Sequence, residues 1–158
     1  MISYIFYYWS LFMNFCCSTV LFLGRLFLSA IFLISGIGKF LDYEGTVQYM
    51  ASKGLQFIPV LLVSAALLEI VASLALIFGI KVRWAAFALF LFLIPTSYLF
   101  HDFWNLSAEQ FQLQFIMFMK NLGIAGGLLY IIGAGAGNFA FGRCCSVNRR
   151  DEYLEEAR

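Results

Sequence analysis

Apolar positions gather into four long runs along this chain, at about residues 20–38, 57–79, 84–100 and 112–135, with short polar stretches between them. Each run is near the roughly 20 residues that a helix needs to cross the hydrocarbon of a bilayer. The pattern predicts an all-α integral membrane protein built as a four-transmembrane-helix bundle. The first connection, "KFLDYEGTVQYMASKG", is polar enough to leave the hydrocarbon and is patterned like a short surface helix. The second, "GIKVR", predicts a tight hairpin, and the third, "HDFWNLSAEQ", is short and rich in residues suited to the membrane interface.

Upstream of these runs lies "MISYIFYYWSLFMNFCC", which is apolar but lacks the basic start and small-residue cleavage site of a signal peptide. It reads as retained. Its Tyr7, Tyr8 and Trp9 suit the headgroup zone, where amphipathic rings collect. The expectation is an aromatic interfacial N-terminal segment over 1–19, with an additional span as the alternative. The membrane domain then occupies 20–137, and a short charged tail occupies 138–158. No internal repeat or low-complexity segment stands out.

Composition agrees with the pattern. Of 158 residues, 63% are hydrophobic, 19% aromatic and only 12% charged, and the mean hydropathy is +0.88. A soluble domain carries roughly 25% charged residues. The formal net charge of +1 offers no basic stripe, so nucleic acid is not an expected partner and the lipid bilayer is. Where the charges lie says more. With four spans, Lys81, Arg83, Arg143, Arg149, Arg150 and Arg158 share one side, against Lys39 and Lys53 on the other. The positive-inside rule then predicts that both termini are cytoplasmic.

Three charges fall within the spans: Arg25, Glu69 and Lys120. Helical spacing puts Arg25, Ser29, Phe32, Gly36 and Lys39 on one face of the first span. Glu69 shares a face with Ala65, Ala72 and Ser73, and Lys120 shares one with Gly123 and Gly127. Counting about 1.5 Å per residue, Glu69 and Lys120 lie at similar depth, on the order of 15 Å, with Arg25 about a turn deeper. A lone charge at the bilayer centre costs about 2.5–3.5 kcal/mol, so such groups pair inside the bundle. The expectation is a Glu69–Lys120 contact, with Arg25 as a second candidate partner for Glu69. The same charges also fit a purely structural role, since ion pairs serve packing as well as chemistry.

His101, the only histidine, ends the third run beside Asp102, Phe103 and Trp104. It suits either a proton conduit and hydrogen-bond partner for a quinone carbonyl, or an interfacial position beside an aromatic belt. Pro95, followed by Thr96 and Ser97, predicts a kink in the third span. Cys16–Cys17 and Cys144–Cys145 form adjacent pairs at the cytoplasmic surface, without CxxC spacing or nearby histidines for zinc. They are not expected to be catalytic, and juxtamembrane lipidation is open to them. The glycine-rich "GGLLYIIGAGAGNFAFG" lacks the strand-then-helix context of a nucleotide loop and fits close helix packing better.

Four segments, in order, resemble the DoxX family of small bacterial membrane proteins: "GRLFLSAIFLISGIGKFLD", "LLEIVASLALIFG", "FHDFW" and "MKNLGIAGGLL". The resemblance covers about residues 20–137. It implies a four-helix bundle in the bacterial inner membrane and a link to quinone-connected redox chemistry. By position it places Arg25, Lys39, Glu69, His101, Trp104, Lys120 and Asn121 in the family's recurrent motifs. The expected roles are Glu69, Lys120 and His101 in chemistry, with Arg25, Lys39, Trp104 and Asn121 contacting a membrane quinone. No haem, flavin or metal motif is visible. Three functions follow. One is a redox-associated subunit with a quinone site, and another is an assembly or anchoring subunit that docks partner proteins. The third is a small transporter, for which neither inverted repeats nor interrupted helix pairs are found. A redox or membrane protein partner is expected, and a homo-oligomer is compatible with the glycine faces.

Overall fold

The computed structural model describes residues 2–140 except Ser107 and Asn138, with side chains described from Ser18 onward apart from those of Asn105 and Ala108. The expectations for Cys144, Cys145 and the charged tail lie outside the described residues, as do those for the side chains of Tyr7, Tyr8, Trp9, Cys16 and Cys17. The described residues form helices α1 (Ile2–Leu41), α2 (Tyr43–Ser52), α3 (Ile58–Phe78), α4 (Val82–Phe100) and α5 (Ala108–Ala134), and a 3-10 turn at Phe103–Asn105. Four stretches are long and apolar enough to cross a membrane: Ser18–Leu41, Ile58–Phe78, Val82–Phe100 and Glu109–Ala134.

Helix α1 is one unbroken helix of 40 residues. At about 1.5 Å per residue it is about 60 Å long, roughly twice the hydrocarbon thickness. Neither Gly nor Pro occurs before Gly24, so nothing halts the helix upstream of the span. A separate additional span would need a turn near residue 19, and the helix has none.

The helix ends have local causes. Asp42 leaves helical geometry and caps α2, its carboxylate accepting from Gly45 N. Pro59 sits in the first turn of α3, where its missing N–H is not needed. Gly79, with φ of 74°, closes α3 in the left-handed conformation that glycine adopts without strain, and the hairpin follows at once.

Around the bundle, α1 packs on α3, α3 on α4, α4 on α5, and α5 returns to α1. Helices α3 and α5 are therefore diagonal, with no close backbone approach among the described residues. The interior is built from Phe32, Leu76, Leu89, Leu128 and Ile131, all buried. Outward residues such as Ile34, Val60 and Trp84 are about 70% exposed. So much apolar surface exceeds what a water-soluble monomer presents, and lipid covers it in a membrane. Helix α2 lies across α1 and α3 at one end of the bundle, and the α3–α4 hairpin marks the other.

Candidate functional site

The expected face of α1 is real: Arg25, Ser29, Phe32 and Gly36 are all buried. Gly36 decides how close α3 can come. A Cβ there would lie 2.9 Å from Ile70 Cγ1, 3.0 Å from the Ala66 carbonyl oxygen and 3.1 Å from Glu69 Cβ. Helical side chains lean toward their own N-terminus. Because α1 and α3 run in opposite directions, Lys39 leans inward along α1 while Glu69 leans outward along α3. They meet. Lys39 Nζ donates to Glu69 Oε2 at 2.6 Å and to Ser35 Oγ at 2.8 Å, and Ser35 Oγ donates to Glu69 Oε1 at 3.1 Å. Both carboxylate oxygens are thus occupied, which is what a carboxylate in a low-dielectric interior requires. The Glu69 side chain is 4% exposed and that of Lys39 22%.

Lys39 and Ser35 line a cavity of about 900 Å³ under α2. Thr46, Tyr49 and Met50 contribute from α2, while leucines of α3 and the Leu91–Pro95 stretch of α4 make mostly apolar walls. His101 also lines it. His101 Nδ1 and Gln114 Oε1 are 2.9 Å apart. The amide oxygen can only accept, so the pair calls for the proton on Nδ1 and leaves Nε2 of the neutral ring as an acceptor. The roof is fastened to the end of α4. Tyr49 Oη donates to the Phe100 carbonyl at 3.2 Å, and its ring lies 5.4 Å from that of Phe100. Just beyond α2, Lys53 Nζ lies 2.6 Å from Asp102 Oδ1. The hydrogen bond from Lys53 holds the Asp102 carboxyl below its ordinary range.

The expected Glu69–Lys120 contact does not form. Lys120 is exposed on the outward side of α5, and its ammonium turns back one turn to Met117 Sδ at 3.3 Å. Matching depth is not enough, because α3 and α5 are diagonal in the bundle. Gly127, on the face Lys120 was expected to share, packs against Leu28 of α1 instead. Nor does Arg25 reach Glu69. It is 1% exposed and lies at the hairpin end, where Nη2 donates to the Phe139 carbonyl and the guanidinium carbon sits 5.6 Å from the Phe22 ring centre. A side chain at Gly79 would meet Arg25 Nη1 at 3.0 Å. Antiparallel packing sets Arg25 beside the end of α3, far from its middle.

Asn121 is buried and joins α5 to α4, Nδ2 donating to Ser97 Oγ at 3.1 Å. Trp104 packs edge-on against Phe103 and Phe118 and tilted against Tyr98, outside the cavity lining. Of the seven residues expected to form the site, Lys39 and Glu69 are brought together, and His101 lies on the cavity that Lys39 lines. Ser35, Tyr49 and the α4 wall were not foreseen. Ser35 had a signal, since it stands four residues before Lys39 on the same face.

Comparison with known proteins agrees with this architecture. The DoxX family model matches residues 20–102, which include Lys39, Glu69 and His101. "Inner membrane protein YphA" of Escherichia coli (strain K12) is 29% identical over 124 residues, covering 78% of this chain and 89% of that protein. "Inner membrane protein YqjF" of the same organism is 34% identical over 120 residues, covering 76% and 87%. No solved structure matches.

Proposed function

This chain belongs to the DoxX family and is a multi-pass inner-membrane protein, and from that premise we propose that it binds a membrane quinone in the cavity beneath α2, as the quinone-contacting subunit of a redox assembly. The carrying observation is a mostly apolar cavity lined by Ser35, Lys39 and His101, with Glu69 held against Lys39 as its ion-pair partner. A volume of about 900 Å³ suits a small-molecule site with a few polar anchors. A bound quinone supplies a carrier that takes up electrons together with protons.

The residues divide the remaining work. Lys39 offers an ammonium donor to a ligand oxygen, placed where negative charge would otherwise be costly. Glu69 positions that ammonium and balances its charge, and Ser35 ties the two together. His101, with Nδ1 engaged by Gln114, can pass a proton through Nε2 between ligand and surface. The leucines of α3 and α4 exclude water and receive an isoprenoid chain. The electron donor in this reading is a partner protein.

The test is titration of purified protein in lipid nanodiscs with a short-chain ubiquinone or menaquinone. Binding at one ligand per chain is expected, weakened at least about tenfold by Lys39→Met, the scale of a charge-assisted hydrogen bond, and unchanged by Lys120→Met. Wild-type protein that binds neither quinone would end this reading.

A second reading, an assembly or anchoring subunit, is favoured by the outward face of α5. Lys120 is exposed there near Gly123 and Gly126, where a Cβ would meet nothing within 4 Å. Small residues let another membrane helix approach. Site-specific crosslinking from position 123 in native membranes tests it, and the absence of any protein adduct counts against it.

A further inference from the structure

The cavity wall formed by α4 contains a proline in the middle of a helix. Pro95 lies inside Val82–Phe100, and the helix runs through it. Proline has no backbone N–H, so the carbonyl four residues earlier, that of Leu91, loses its normal i+4 donor. The two hydroxyls that follow are already committed elsewhere. Thr96 Oγ1 donates to the Phe92 carbonyl at 2.9 Å, and Ser97 Oγ donates to the Leu93 carbonyl at 2.7 Å. Leu91, Phe92, Pro95 and Thr96 all line the cavity. A carbonyl at position i lies on the same helix face as residue i+4. The oxygen released by Pro95 therefore belongs to the wall that Pro95 itself lines.

In hydrocarbon, water is not at hand to satisfy such an oxygen, and leaving it bare is costly. A ligand hydroxyl can satisfy it, whereas a ligand carbonyl cannot. The lining from α1 has the reverse character. Lys39 has donors only, and Ser35 spends its hydrogen on Glu69. The cavity thus holds a donor on α1 and two acceptors, the Leu91 carbonyl on α4 and Nε2 of His101 just past the end of that helix.

We infer that the Leu91 carbonyl, released by Pro95 into the cavity wall, accepts a hydrogen bond from a ligand hydroxyl and so makes the site prefer the reduced, hydroquinone form of its ligand. Pro95 is a positioning residue in this arrangement. The inference rests on the reading that the cavity takes a membrane quinone, and it adds which oxidation state is held more tightly and by which atom.

The experiment compares three ligands on the full chain in nanodiscs: a short-chain ubiquinone, the matching ubiquinol, and the ubiquinol dimethyl ether, whose hydroxyls are capped. Wild-type protein is expected to bind the ubiquinol about tenfold more tightly than either other ligand, the scale of one net hydrogen bond. Pro95→Ala restores an N–H to the Leu91 carbonyl. It is expected to reduce that preference at least about threefold, and helix content and a monodisperse detergent-solubilised state like the parent's show that the variant is folded. Replacing an interior proline by alanine favours a helix. Equal binding of ubiquinol and its dimethyl ether to wild-type protein overturns the inference, whatever the variant does. A preference in Pro95→Ala as large as in the parent overturns it as well. Wild-type protein that binds both oxidation states equally removes the inference alone, whereas protein that binds neither removes the quinone reading with it.

Discussion

Lys39 and Glu69 meet at 2.6 Å across α1 and α3, and the carboxylate is the more deeply buried of the two. Removing one member of a buried pair strands the other. Lys39→Met strands a carboxylate that is 4% exposed, whereas Glu69→Gln strands an ammonium that is 22% exposed and can still turn toward the cavity. Lys39→Met is therefore expected to cost more, about 3 kcal/mol. The double variant should lose less than the two single losses combined. Denaturant unfolding in detergent measures all three, and additivity within about 0.5 kcal/mol would show that the two groups are uncoupled.

Gly36 sets the spacing on which that pair depends. Gly36→Ala places a methyl against the Ala66 carbonyl oxygen and Glu69 Cβ, which cannot swing aside as the tip of a long side chain could. The expected loss is about 1–3 kcal/mol, the usual cost of overpacking. Gly24→Ala in the same helix meets nothing within 4 Å and serves as the control. It should be neutral or stabilising by about 0.5–1 kcal/mol. Thermal midpoints that shift alike in both variants would contradict the close approach.

The corner between α2 and α4 should depend on pH. The Lys53 hydrogen bond depresses the folded-state pKa of Asp102. A depressed carboxyl contributes stability that is present above its unfolded value, about 3.9, and is lost as pH falls through the lower folded value. Hydrogen-exchange protection of α2 amides, taken relative to the intrinsic exchange rate at each pH, should therefore be high and flat near neutrality and should fall below about pH 4. Asp102→Asn should remove that acid dependence. An α2 whose protection falls equally in the variant and the parent would locate the titrating group elsewhere.

Lys120 and Arg25 lie apart from the cavity and should behave accordingly. An outward lysine near the middle of a span opposes insertion by about 2.5–3.5 kcal/mol or less, depending on how far it can snorkel. Lys120→Met is expected to be neutral or stabilising, with quinone affinity unchanged. Arg25→Met removes the bond to the Phe139 carbonyl at the hairpin end, so its effect should fall on stability and leave ligand affinity intact. A loss of quinone binding in either variant would move the site away from the α2 end.

Much of this protein follows from local composition. The four spans, the α2 surface helix, the tight hairpin and the buried stripe of Arg25, Ser29, Phe32 and Gly36 could all be read from run length and helical period, because both depend on neighbours along the chain. The partner of Glu69 could not. That choice depends on which helices are adjacent, and the order α1–α3–α4–α5 places Lys120 across a diagonal and Lys39 next door. Antiparallel packing likewise took Arg25 to the hairpin end, and only the bundle shows that α1, α2, α3 and α4 line one cavity shared by Lys39 and His101. Sequence determines what each helix is made of and where along it each residue lies. Rotation and adjacency, which decide what meets what, are properties of the packed bundle.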